Sequence, residues 1–436
     1  MRRGTEQARR GVAVVSRPLA RKCLAPGTTV APGEVMVATE IGDPARGLLP
    51  CPAAPLIGGV LERRGLPVRY GPVPRYAEAS QSDDGAVLFI TSALQGDGEA
   101  TGIGAAANAV DGLAAAAARA AVEEWSAMVG THRLLAGVRP WCDGAVRALE
   151  LARETAMSAD GPVHVYGWLA ASADARDDLA ASGAVFVTSL SEVPDGATLV
   201  IPAHGIPPAV LDEAAHRGLV TVDGTCPLVA GVHEETRRFA ARGDQVVIIG
   251  PHRHAVAAGI AGQAPDHTVT TESLAGVSTV RAADPRRVSY VLQPGIPVEE
   301  TAPVSAALRS RFPALRGPDP DRFCYAASDR TETIRAVAAA SDVVLVLGTE
   351  DEPDTRLLAG LARAGRAKAH VIDAAGRIEP SWLAGVGTIG LAETVSARPR
   401  LAGQVATALS GLGPLSVTRR QVSTEILGTH PDQGIS

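Results

Sequence analysis

The chain has 436 residues, 46% apolar and only 3% aromatic, with a formal net charge of −6. That length accommodates two to four domains, whose cores alanine and valine must fill. The charge lacks the basic footprint of a nucleic-acid binder, no run of about 18 apolar residues suggests a membrane span, and five cysteines in so long a chain do not form a disulfide framework. The basic residues are arginine apart from Lys22 and Lys368, a bias of high-GC bacterial genomes. A cytoplasmic, reducing setting is expected, in which thiols stay free for metal or chemistry.

Residues 1–25 read as a basic lead-in. From 26 to 136 the chain is rich in Gly, Ala and Pro, with strands predicted at 35–41 and 86–90 and an alanine-rich helix over 104–127. From 137 onward short apolar runs predict buried parallel strands at 197–202, 219–222, 245–249, 288–292, 343–347 and 370–373, with helices between them. One helix follows Cys226 and carries Val229, Val232, Thr236 and Phe239 as an inward stripe. Another follows Cys324, with Ile334, Val337 and Ala338. The alternation predicts an α/β fold with parallel sheets, and residues from 411 onward form a peripheral tail.

Three cysteines, Cys142, Cys226 and Cys324, each precede a predicted helix. Free N–H groups and the positive end of the helix dipole favour a thiolate there. Such turns would lie at the carboxyl ends of strands, where open α/β sheets place ligands, and three thiolates suit a soft metal centre with one open position. None belongs to a C-x-x-C, so a ferredoxin-type run and a zinc ribbon are both absent. Three unrelated core cysteines, or a zinc site completed by His204 or His254, are the alternatives. Cys23 and Cys51 receive no role.

The motifs around these cysteines resemble those of the hydroxymethylbutenyl diphosphate reductase (LytB/IspH) family. Trp141-Cys142-Asp143-Gly144 is a partial match to its Phe-Cys-Ala-Gly. Val193-Pro194-Asp195-Gly196, a strand, then Ala203-His204-Gly205 resembles its Val-Pro-Asp-Gly, strand, Ala-His-Gly. Asp223-Gly224-Thr225-Cys226-Pro227-Leu228-Val229 is similar to Asp-Ala-Thr-Cys-Pro-Leu-Val, and Cys324-Tyr325-Ala326-Ala327-Ser328-Asp329-Arg330 to Cys-Tyr-Ala-Thr-Thr-Asn-Arg. The likeness spans about 137–405. It implies a trefoil of three α/β lobes (137–226, 227–322 and 323–410) around a [4Fe–4S] cluster held by Cys142, Cys226 and Cys324. It further implies catalytic roles for His204, His254 and Thr225, and substrate contacts from His204, His254, Gln293 and Ser396. The reaction implied is a two-electron reductive dehydroxylation of a small molecule, fed by an external donor such as ferredoxin or flavodoxin, with neither nucleic acid nor membrane as partner.

The chain departs from the family where the substrate is held. The relay glutamate of His-Pro-Glu-Val-Glu-Gly is Val256, which cannot carry a proton. The second histidine of His-Glu-Val-Val-His-Asn is Ala171. Gln-Thr-Thr becomes Gln293-Pro294-Gly295, and the Ser/Asn-rich diphosphate loop becomes Gly348-Thr349-Glu350-Asp351-Glu352-Pro353-Asp354-Thr355. Carboxylates there would repel a diphosphate. The expectation is therefore a reductase of this family with an altered substrate. An authentic diphosphate reductase using His252, Thr225 or His204 for the proton, and a non-catalytic iron–sulfur sensor, are the alternatives. In the N-terminal region, Ala31–Glu40 and Ala109–Ala115 resemble segments of nucleoside phosphorylases, with Leu113 replacing the ribose-gripping glutamate; a remnant kept for packing or dimerisation is expected.

Overall fold

The computed structural model describes residues 18–24, 29–43, 46–73, 76–77, 85–95, 98–167 and 173–424. Most of the lead-in, residues 425–436 of the tail and the segment 168–172 that includes Ala171 lie outside these, as does the side chain of Cys23. The chain forms two compact units: 1–137 with 335–420, and 138–334 with 421–436.

The second unit contains two parallel sheets. The first pairs Ala184–Val187, Val163–Tyr166, Thr198–Ile201 and Val220–Asp223 in that order, and the second has Gln245–Ile249 between Thr268–Thr271 and Val288–Leu292. Val246, Val247, Ile248 and Ile249 are all buried, as befits a central strand covered on both faces. Glycine ends this strand. Gly250 has φ +156°, and a Cβ there would stand 2.5 Å from Gln293 Oε1.

The first unit holds a five-stranded sheet in the order Lys368–Ile372, Val343–Leu347, Thr388–Glu393, His132–Val138, Leu415–Arg419. Leu415–Arg419, within the segment expected to be peripheral, pairs in parallel with His132–Val138. The same unit holds a seven-stranded N-terminal sheet, mostly antiparallel, centred on Val35–Asp43, Ala100–Asn108 and Ala86–Leu94. The fold class is thus α/β as expected, and the predicted strands fall in place.

The alanine-rich helix is shorter than predicted. Residues 100–108 are a buried strand, and the helix is Gly112–Ser126. Alanine fits either state, and two constraints decide. Gly102 and Gly104 are packed so closely that a Cβ on either would fall within 3 Å of Cys51 Sγ or Ile41 Cδ1, and Asp111 caps the helix by accepting from Leu113 and Ala114 N–H. The other carboxylate oxygen of Asp111 accepts from Gly33 N–H at 2.6 Å, and these bonds hold its carboxyl below the usual range. Leu113 is 84% exposed on the first turn of that helix.

One hydrophobic core joins the N-terminal sheet to the five-stranded sheet, running from Val35, Leu56 and Trp125 to Leu345, Ile389 and Leu409. The helix Ala54–Arg63 makes the closest approach: a Cβ on Gly59 would lie 1.9 Å from Gly376 O, and Arg63 donates to the carbonyls of Gly376 and Ile378. The N-terminal region is therefore an integral layer of this unit. Gly59→Ala is expected to lower stability by about 1–3 kcal/mol through overpacking. Gly403→Ala, in a helix with no atom within 4 Å of the added methyl, should raise it by about 0.5–1 kcal/mol. Urea unfolding midpoints of the two variants check both signs.

Candidate metal and substrate site

Cys142, Cys226 and Cys324 all belong to the second unit. Cys142 is the N-cap of Asp143–Ser158, and Cys226 is the N-cap of Pro227–Ala241, whose first position is a proline that needs no hydrogen-bond partner for its nitrogen. Cys324 lies two residues before Ala326–Ala339 and follows the 3₁₀ turn Pro320–Arg322. The strand–Cys–helix reading thus fits the first two cysteines. The third is reached through the 3₁₀ turn Pro320–Arg322.

The turns converge. A Cβ on Gly144 would stand 2.6 Å from Cys226 Sγ and 4.0 Å from Cys142 Sγ, so glycine is what lets these two thiols approach. The Cys324 thiol is pushed up chiefly by burial and further by the nearness of Cys142 and Cys226, while N–H groups of Ala326 and Gly295 act in the opposite direction. Cys226 N–H donates to Ala203 O at 3.0 Å, tying this turn to the residue before His204. Cys51 sits apart in the core of the N-terminal sheet, with its thiol pushed up to about 12 by burial.

Among the described residues, no three His, Cys, Asp or Glu side chains close around a single metal ion. A three-cysteine, one-histidine zinc site is not assembled. Thiols are the donors that an iron–sulfur cluster takes, so the residue types present suit that group by their chemistry.

His204 and His254 are brought together, their rings 5.6 Å apart in an edge-to-face arrangement at 75°. His254 heads the short helix Ala255–Ala261, and its Nδ1 accepts from Val256 N–H at 3.2 Å. The neutral ring thus carries its proton on Nε2. Burial, then the charge of His254, holds His204 below the ordinary imidazole value, and desolvation does the same to His254. Thr225 lies beside Gly205, its Cγ2 3.3 Å from where a Gly205 Cβ would be, and its N–H donates to Asp223 Oδ1 at 2.8 Å. Val256 turns into a core with Val232, Phe239 and Ile260. Gln293 is 3% exposed, and its Oε1 has no hydrogen-bond partner among the described residues. His252 stands 3.7 Å from Glu272 at the surface.

Ser396 belongs to the first unit, where it joins a hydroxyl network at the end of Val343–Leu347. Its Oγ lies 3.1 Å from the hydroxyls of Thr355 and Thr394 and accepts from Thr349 N–H at 3.1 Å. Asp354 Oδ2 accepts from Val395 N–H at 3.1 Å. Gly348, φ +154°, is required because a Cβ would fall 2.1 Å from Thr394 Oγ1.

His233 was not anticipated as part of this site. It lies in the unit's core, 6% exposed, with Arg237 and Asp223 nearby, and burial lowers it to about 4. The signal available in the sequence was a histidine on the inward stripe of the Cys226 helix.

A unit of parallel α/β sheets with three converging thiols at or just before helix starts defines the class. Residues 134–410 match the family described as LytB protein, and the chain belongs to that family. It is 42% identical over 296 residues to "4-hydroxy-3-methylbut-2-enyl diphosphate reductase 2" of Mycobacterium bovis, covering 67% of this chain and 90% of the relative. It is 36% identical over 284 residues to the reductase of that name from Azoarcus sp., covering 65% and 91%. The solved structure of the E-1-hydroxy-2-methyl-but-2-enyl-4-diphosphate reductase from Plasmodium falciparum shares the fold, with a TM-score of 0.57 and 23% identity over 69% of this chain and 95% of that one. No helix among the described residues is long and apolar enough to cross a membrane.

The depressed histidines set a pH dependence. Between the unfolded value near 6.5 and the folded value of about 4 for His233, the unfolded chain binds a proton that the folded chain does not, so stability falls as pH drops through this window. Denaturation from pH 7 to 4 is expected to show this loss, with a shallower slope for His233→Asn than for the unaltered protein.

Proposed function

We propose that this protein is an iron–sulfur reductase in which Cys142, Cys226 and Cys324 hold a [4Fe–4S] cluster and a small allylic alcohol is reductively dehydroxylated. The observation that carries the proposal is the convergence of three thiols from distant segments, with Gly144 kept bare of a side chain between two of them. When bound, the cluster supplies a Lewis-acidic iron and a relay for electrons from an external donor such as ferredoxin or flavodoxin. In the net reaction the C–O bond breaks, the oxygen leaves as water after taking a proton, and carbon receives a second proton and the electron pair. His204 and His254, both held neutral, orient the alcohol, and the Nε2–H of His254 is a hydrogen-bond donor. Thr225 and Gln293 add polar groups.

The substrate is proposed to lack a diphosphate. The groups assigned to that anion by the family resemblance have other partners here: Ser396 bonds Thr355, Thr394 and Thr349 N–H, and the Asp354 carboxylate takes Val395 N–H. With Val256 facing the core, the relay carboxylate has no counterpart at that position. The competing reading, turnover of 4-hydroxy-3-methylbut-2-enyl diphosphate itself, is favoured by 42% identity to a relative that bears this name.

After anaerobic reconstitution, iron and sulfide analysis with EPR of the reduced protein is expected to show about four of each per chain. Cys142→Ser, Cys226→Ser and Cys324→Ser should each lose iron, and Cys51→Ser should retain it; zinc in place of iron would sink the proposal. The diphosphate should be reduced slowly or not at all by the loaded protein, whereas brisk turnover, abolished by His204→Ala, would establish the competing reading.

A further inference from the structure

We propose that His233 is a positioning residue that sets the spacing between His204 and His254. Its ring occupies a wedge between the turn that carries His204 and the helix headed by His254. On one side a Cβ at Gly205 would lie 2.6 Å from His233 Cε1; on the other, a Cβ at Gly259 would lie 3.2 Å from His233 Nε2 and 3.4 Å from His204 O. The bare backbone at both positions lets the imidazole touch both elements. Gly205 also has φ +67°, which by itself favours glycine. Gly259 is within a helix, where glycine is disfavoured, so the close contact with His233 is the physical reason for a glycine there.

Gln263 holds the ring in place. Its Nε2 lies 3.3 Å from His233 Nδ1, 3.0 Å from Gly259 O and 3.5 Å from Ile206 O, and its Oε1 accepts from Arg237. One amide thus ties His233, the His254 helix and the residue two beyond His204. Because Gln263 donates to Nδ1, the neutral ring carries its proton on Nε2, which is buried without a hydrogen-bond partner among the described residues. A buried N–H left in this state opposes folding, so the ring's contribution lies in its shape and in its tie to Gln263. His233 faces Arg237 and Asp223; His204 faces His254 across the 5.6 Å that the wedge maintains.

This inference deepens the role proposed above for His204 and His254, yet its test needs neither substrate nor turnover, so the two fail separately. Histidine ring signals of the full-length reconstituted protein are titrated by NMR. His233→Asn leaves an acceptor for Gln263 but empties the wedge, and Gly259→Ala presses on the ring from the opposite side. In His233→Asn the His204 midpoint is expected to move up toward the ordinary imidazole value, as burial and the influence of His254 diminish. Gly259→Ala alone should also shift it, and the double variant should lie nearer the unaltered protein than Gly259→Ala does, because the added methyl enters vacated space. An unmoved His204 midpoint in both folded single variants, or strictly additive shifts in the double, overturns the proposal. Should His233→Asn fail to fold, Gly259→Ala decides alone: an unmoved His204 midpoint overturns the wedge and a shift supports it.

Discussion

Bringing three thiols within electrostatic reach of one another is the constraint around which the second unit is organised. Burial raises the cost of ionising Cys324, and the nearness of Cys142 and Cys226 adds to it. The backbone supplies the opposing contribution. Cys142 and Cys226 stand at helix N-cap positions, and Cys324 receives N–H groups from Ala326 and Gly295, which favour its thiolate. Close approach requires the absence of a side chain at Gly144. The isolated, apolar setting of Cys51 has the opposite effect and keeps that thiol protonated.

The same economy of space governs the histidines. His204 and His254 meet because Gly205 and Gly259 admit His233 between their elements. All three rings are held below the ordinary imidazole value, so they act as neutral hydrogen-bonding groups near pH 7. The helix beginning at His254 presents Val256 to the core. In the other unit the hydroxyls of Thr355, Thr394 and Ser396 satisfy one another, and Asp354 occupies a backbone N–H. A network already satisfied in this way has little hydrogen-bonding capacity left for an anion.

Much of the fold was legible because buried parallel strands are short apolar runs: Gln245–Ile249, Val288–Leu292 and Val343–Leu347 coincide with their predicted limits. Strands with weaker contrast, such as His132–Val138 and Leu415–Arg419, were not predicted, since they are placed by pairing within the five-stranded sheet. The segment 104–108, with alanine at 105–107, is strand where helix was expected, because alanine alone does not distinguish the two states; contacts across the sheet do. Local motifs single out Cys142, Cys226, Cys324, His204 and His254, and the structure brings the thiols near one another and the two imidazoles into contact. His233 was not, because its role depends on two glycines distant in the chain.

The sequence by itself determined the fold class and the family, since these reside in residue identity and local periodicity, which survive without knowledge of packing. Only the tertiary structure decided which thiols meet, that the N-terminal region shares one core with the five-stranded sheet, that Ser396 spends its hydroxyl on Thr355 and Thr394, and that a buried imidazole stands between two glycines. These are distances between segments far apart in the chain, and close-packed cores set them through the volume of every side chain at the contact.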